Sequence, residues 1–174
     1  MRAMSERLQI AVVGAASCDD ATAAIAREVG AEIARAGAVL LSGGRGGVMA
    51  AASEGARAAG GLTIGVLPGT DAAASPPNEH LDVALFTGFS QARNQVLVLS
   101  AVAVVAIGGG WGTLSEIAFA LKYRVPVVLV ESWDLKRPDG LSDPLLFYAR
   151  TPADAIVIAR QMATRERAAA AGSS

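Results

Sequence analysis

The stretch AVAVVAIGGGWGTLSEIAFALK, Ala101 to Lys122, decides the fold. Its first part, Val102 to Ile107, is apolar and β-branched with no polar alternation, as in a strand buried on both faces of a parallel sheet. The chain breaks at Gly108-Gly109-Gly110 and again at Gly112. It resumes with Leu114, Ile117, Ala118 and Leu121 on one helical face. Strand, glycine turn and helix in that order bring bare backbone N–H groups and the positive end of a helix to one point. Such a point favours an anion, most often a phosphate.

Working outward, the same alternation recurs. Leu8 to Val13 reads as a strand ending at Gly14, followed by the small-residue turn Ala15 to Cys18. Asp19 or Asp20 caps a helix that runs to Ala36 and stops at Gly37. Ala38 to Leu41 is a second strand. It leads into Ser42-Gly43-Gly44-Arg45-Gly46-Gly47, a second glycine loop, and a helix over Val48 to Ala59. Leu62 to Leu67 is a third strand, and Thr70 to His80 is a polar loop over the sheet edge. Val83 to Phe86 reads as a short strand. A helix from Ser90 to about Ser100 points Val96, Leu97 and Leu99 to the core. Val127 to Val130 and Leu145 to Ala149 complete the strands, with a loop from Glu131 to Asp143 between them. Thr151 caps a last helix with Pro152 at its first position.

Strands alternating with helices predict an α/β domain, Rossmann-like and doubly wound, over residues 1–174. The sheet is mostly parallel, of about six or seven strands with helices on both faces. The expected ordered core is 8–162, with a flexible Ala-rich tail over 165–174. Ligands of such sheets sit beyond the carboxyl ends of the strands, near the switch in strand order. Both glycine loops follow a strand and open a helix, so both fall on that edge.

Composition narrows the function. With 52% hydrophobic residues, 18% charged and a net charge of −1, there is no basic cluster to form a nucleic-acid groove. No apolar run is long enough for a membrane span, and the start MRAMSERLQ has no signal-peptide core, so a cytoplasmic protein is expected. Cys18 and His80 are each the only residue of their type, so neither a disulfide nor a metal cluster is expected.

The loop Gly43 to Gly47 follows the second strand rather than the first, and lacks G-K-[ST]. It is neither a dinucleotide fingerprint nor a Walker loop. Tight turns without a ligand explain one such loop well; two on one edge point to a shared anion. Arg93, early in its helix, reads either as a solvated surface arginine or as a fork onto a phosphate. Thr113-Leu114-Ser115-Glu116 matches a capping box, yet a carboxyl over an anion site also suits general acid or base work. Trp111 either covers a ligand ring or packs on a neighbouring helix. Arg45 either meets an anion or is solvated. His80 reads as a surface residue and Cys18 as a small filler or pocket wall.

The two motifs, Ser42 to Met49 and Gly109 to Glu116, resemble those of the Lonely Guy (LOG)-like superfamily over about residues 8 to 162. That group includes cytokinin-activating phosphoribohydrolases and molybdenum-cofactor carrier proteins, and is often mislabelled lysine decarboxylase. The resemblance implies Arg93 and Glu116 as catalytic residues. It implies ligand or phosphate contacts from Gly14, Ser42, Gly43, Gly44, Arg45, Gly46, Gly47, Asn94, Gly108, Gly109, Gly110, Gly112 and Thr113. It implies hydrolysis of a purine 5′-monophosphate with no required cofactor and no metal, a phosphorylated small molecule as partner, and a homodimer. The alternative it carries is a molybdenum-cofactor carrier. Asn94 stands where the hydrolases have lysine, Gly108 where they have proline, and Ser115 where they have the first glutamate. Gly47-Val48-Met49, Gly60 to Gly65 and Arg93-Asn94 look more like the carrier branch. The decarboxylase label fails on chemistry, because pyridoxal phosphate needs a lysine in the site. Lys122 ends a helix and Lys136 lies in a polar loop.

Overall fold

The computed structural model describes the backbone of residues 7–171. Its sheet has seven strands: β1 (Gln9–Gly14), β2 (Val39–Ser42), β3 (Thr63–Leu67), β4 (Val83–Phe86), β5 (Ala103–Ile107), β6 (Val127–Val130) and β7 (Leu146–Ala149). All pairings are parallel, in the order β4-β3-β2-β1-β5-β6-β7. The helices are α1 (Asp20–Arg35), α2 (Val48–Ala58), α3 (Arg93–Leu99), α4 (Trp111–Lys122) and α5 (Pro152–Ala171). This is the Rossmann-like α/β fold expected.

The apolar runs work because successive side chains of a strand point to opposite faces, and here both faces are covered. Ile10 and Val12 of β1 join Val105 and Ile107 of β5 in a core under α1, α2 and α5. Ala11 and Val13 join Val104 and Ala106 in a second core under α3 and α4. Asp19 caps α1 by accepting from the Thr22 N–H at 2.8 Å. At the head of α5, Thr151 Oγ1 accepts from the Asp154 N–H at 3.1 Å. The α5 helix continues past Arg165 to Ala171, where a flexible tail was expected; alanine has the highest helix propensity. Residues 172–174 lie outside the described part.

Two helix faces differ from the sequence reading. A 3₁₀ turn, Ser90–Ala92, precedes α3 and shifts its phase. Leu97 and Val98 are buried, and Leu99 faces out. In α4 the inward face is Thr113, Glu116, Ile117 and Ala120, with Ala118 exposed. The helix is rotated so that Thr113 and Glu116 join Ile117 and Ala120 on the inward face, and Ala118 turns out.

The switch in strand order lies between β1 and β5. Gly14 at the end of β1 is in register with Ile107 at the end of β5. The chain leaves β1 toward β4 on one side and toward β7 on the other, which opens a crevice between these two carboxyl ends.

Candidate functional site

The crevice holds a cavity of about 320 Å³. Gly14, Ala15 and Ala16 line it from the end of β1, and Arg45 and Met49 from the first glycine loop and α2. Gln91, Arg93 and Asn94 come from the start of α3, and Gly110, Gly112, Thr113 and Glu116 from the second loop and α4. Both loops therefore face one space.

Arg93 and Glu116 meet at its wall, with Nη1 3.9 Å from Oε1. They are 8% and 6% exposed, so the solvated reading of Arg93 does not hold. Arg93 Nη1 and Asn94 Oδ1 are enclosed with no hydrogen-bond partner. Buried polar atoms are nearly always partnered, so a wall carrying two orphans is built to be completed by something that enters. Burial pushes the Glu116 carboxyl up to about 7, and the charge of Arg93 opposes the rise. Burial also holds the Arg93 guanidinium below its ordinary value; Glu116 offsets part of this, and Arg45 adds to it. A carboxyl that changes protonation near neutrality, beside a fixed cation, can either donate or accept a proton.

Glu116 is not part of a capping box. The α4 helix begins at Trp111 with Gly110 as its cap and no side-chain cap bond, which places Thr113 and Glu116 in the first and second turns. Ser115 Oγ donates instead to the Gly112 carbonyl at 2.7 Å. Freed from the backbone, the carboxyl turns inward.

Of the predicted residues, Gly14, Arg45, Arg93, Asn94, Gly110, Gly112, Thr113 and Glu116 reach the cavity. The others brace it. Ser42 Oγ accepts from the Gly44 N–H at 3.2 Å. A Cβ at Gly43 would strike the Arg93 guanidinium and lie 2.7 Å from Met49 Sδ. Gly44 packs on Leu67, and Gly46 and Gly47 pack on the backbone of Ala15 to Ser17. Gly108 and Gly109 line a neighbouring cavity instead. Sequence reading missed Ala15, Ala16, Met49 and Gln91 as lining residues. Ala15 and Ala16 had one signal, their place just beyond the end of β1; Met49 closes the first glycine motif and Gln91 lies in the turn before α3. The 70–80 loop holds the first glycine loop in place: Asn78 donates from its backbone N–H to the Gly44 carbonyl at 2.9 Å and from Nδ2 to the Arg45 carbonyl at 3.0 Å.

Trp111 does not pack on a helix. It meets Trp133 from the loop after β6, with ring centroids 5.6 Å apart and tilted by 40°. Lys122 closes α4 with its amino group 5.6 Å from the Tyr123 ring centre, and neither it nor Lys136 lines the cavity.

Residues 7–163 match the SLOG cluster4 family. The chain belongs to this family. A cytokinin riboside 5′-monophosphate phosphoribohydrolase of Mycobacterium tuberculosis is 33% identical over 63% of this chain and 62% of its own length. The molybdenum cofactor binding protein of Rippkaea orientalis is 38% identical, covering 91% of this chain and 98% of that one, with a TM-score of 0.82. The molybdenum cofactor carrier protein of Chlamydomonas reinhardtii is 36% identical, covering 90% and 98%, with a TM-score of 0.77. The chain is thus similar to proteins of both kinds that its glycine motifs resemble. Among the described residues no helix is long and apolar enough to cross a membrane.

Proposed function

We propose that this family member binds a phosphorylated heterocycle in the crevice and hydrolyses the N-glycosidic bond of a purine 5′-monophosphate. The observation that carries the reading is the buried Arg93–Glu116 pair, with a carboxyl poised near neutrality. The phosphate lies against Gly110, Gly112 and Thr113 at the positive end of α4, within reach of Arg45. Arg93 orients the nucleotide. Protonated Glu116 gives its proton to the departing base as the bond from base nitrogen to C1′ breaks and positive charge develops on the ribose. Water adds at C1′ and returns a proton to the carboxylate, leaving free base and ribose 5-phosphate. Incubation with AMP and N6-prenyl-AMP, following free base, tests this. Glu116→Gln is expected to slow release by roughly 10²–10⁴-fold. If neither of these nucleotides nor GMP, assayed alongside, releases base and Glu116→Gln behaves as wild type, the activity is removed.

A second reading is carriage of molybdenum cofactor as cargo, its phosphate held by the same loops. Asn94 at the hydrolases' lysine position, and the likeness to two carrier structures across most of the chain, favour it. Pterin released from denatured protein, or cofactor protected from oxidation, supports this reading over hydrolysis. Assembly as a homodimer in the cytoplasm belongs to both readings; sedimentation checks the assembly.

A further inference from the structure

The turn that gives Gly110 and Gly112 to the first cavity gives Gly108 and Gly109 to a second. This one has a volume of about 310 Å³ and is completed by Glu131, Ser132 and Trp133. Its wall is pinned. Ser132 Oγ donates to the Gly108 carbonyl at 2.6 Å, and Glu131 is held at a φ of 45°, a conformation few residues other than glycine adopt. Of the chain's two tryptophans, Trp133 lines the cavity and Trp111 meets the Trp133 ring, with centroids 5.6 Å apart. Trp111 is 79% exposed, the most exposed large apolar side chain among the described residues. The Trp133 indole N–H is enclosed and has no acceptor. Trp133 packs partly on the second core yet leaves its N–H without an acceptor, and Trp111 covers little core, so packing alone does not account for the pair. Beside a phosphate site, they form a stacking platform for a flat ring.

We propose that this second cavity is the ring subsite of the ligand whose phosphate occupies the first. Trp111 and Trp133 take the ring's face. Glu131 selects an edge with two adjacent N–H donors, the 2-amino-4-oxopyrimidine edge that guanine and pterins share. A carboxylate only accepts hydrogen bonds. Adenine offers it one amine flanked by ring nitrogens that are themselves acceptors and repel it. The proposal rests on the phosphate reading of the first cavity, and the experiment separates the two.

The whole chain is titrated with ribose 5-phosphate, AMP, GMP and 6-hydroxymethylpterin monophosphate, before turnover. Affinity is read by calorimetry and ring contact by tryptophan fluorescence. Ribose 5-phosphate is expected to bind without quenching. GMP and the pterin phosphate are expected to quench saturably and to bind roughly tenfold or more tighter than AMP. Trp111→Ala weakens the ring-bearing ligands at least about fivefold and leaves ribose 5-phosphate unchanged. Glu131→Gln removes the preference for GMP over AMP. The tighter of GMP and the pterin phosphate names the source of the ring. Ring-bearing ligands that bind no better than ribose 5-phosphate, or that are indifferent to Trp111→Ala, overturn the ring subsite. Equal affinity for GMP and AMP overturns the role of Glu131. Failure of every ligand, ribose 5-phosphate included, overturns the phosphate reading and the subsite with it.

Discussion

The two glycine loops read alike as sequence and are physically opposite. In the first, the space beside the glycines is already occupied. Gly43 faces Arg93 and Met49, while Gly47, at φ 59°, lies against the Ala15 carbonyl. In the second, a Cβ at Gly110 or Gly112 would meet nothing within 4 Å. Gly109, at φ 113°, makes the turn that bends the chain into α4. The first loop has glycines because the protein packs against it. The second has Gly110 and Gly112 where the backbone faces open space, while a Cβ at Gly109 would lie 2.6 Å from Thr113 Oγ1. One is a buttress beside Arg93, and the other is the open surface that the proposed ligand would meet.

That contrast can be broken experimentally. Gly47→Ala is expected to cost the most, on the order of 4 kcal/mol, because it adds backbone strain to a clash with a carbonyl. The urea midpoint measures it, and a loss under about 1 kcal/mol would remove the buttress. Glu116 gives the next effect. Its carboxyl ordinarily titrates near 4.5, and in the folded protein it is raised to about 7, so between these values the folded state holds a proton that the unfolded state releases. Stability therefore falls as pH rises through this window, by at most roughly 3 kcal/mol. Urea midpoints of wild type and Glu116→Gln at pH 5 and pH 8 check the sign: the variant should fall less. Gly112→Ala is the smallest change. It replaces an exposed glycine inside α4, so it should leave stability unchanged or raise it by about 0.5–1 kcal/mol. If the N–H groups there face a phosphate, the same change weakens ribose 5-phosphate binding several-fold. A gain in stability with no loss of binding would make the second loop a simple turn.

The fold was legible because every strand of a covered parallel sheet must be apolar, and the helix stops were glycines. Gly37 and Gly60, for example, adopt φ of 72° and 77°. The crevice was legible for the same reason, since loops after parallel strands share one edge. The chemistry was less so. Spacing alone made Arg93 a surface residue and Glu116 a cap, because neither side chain's surroundings come from its own segment. Arg93 is buried by Gly43 and Met49, distant in the chain, and Glu116 is turned inward by a helix that starts two residues before Thr113. Only the resemblance to known motifs paired them. The phase of α3 was misread because a 3₁₀ turn precedes it and leaves no clear mark in the sequence.

The strand order also bears on how the molecule is made. The neighbours β1 and β5 are separated along the chain by β2, β3 and β4, all of which lie on one side of β1 in the sheet. Pairing between strands so distant along the chain slows folding. Until β5 docks, Gly14 has no Ile107 beside it, and the crevice between them does not exist. A nascent chain that ends before β5 has nothing to offer a ligand, so ligand rescue of a folding-defective variant acts only after the last central strand is in place.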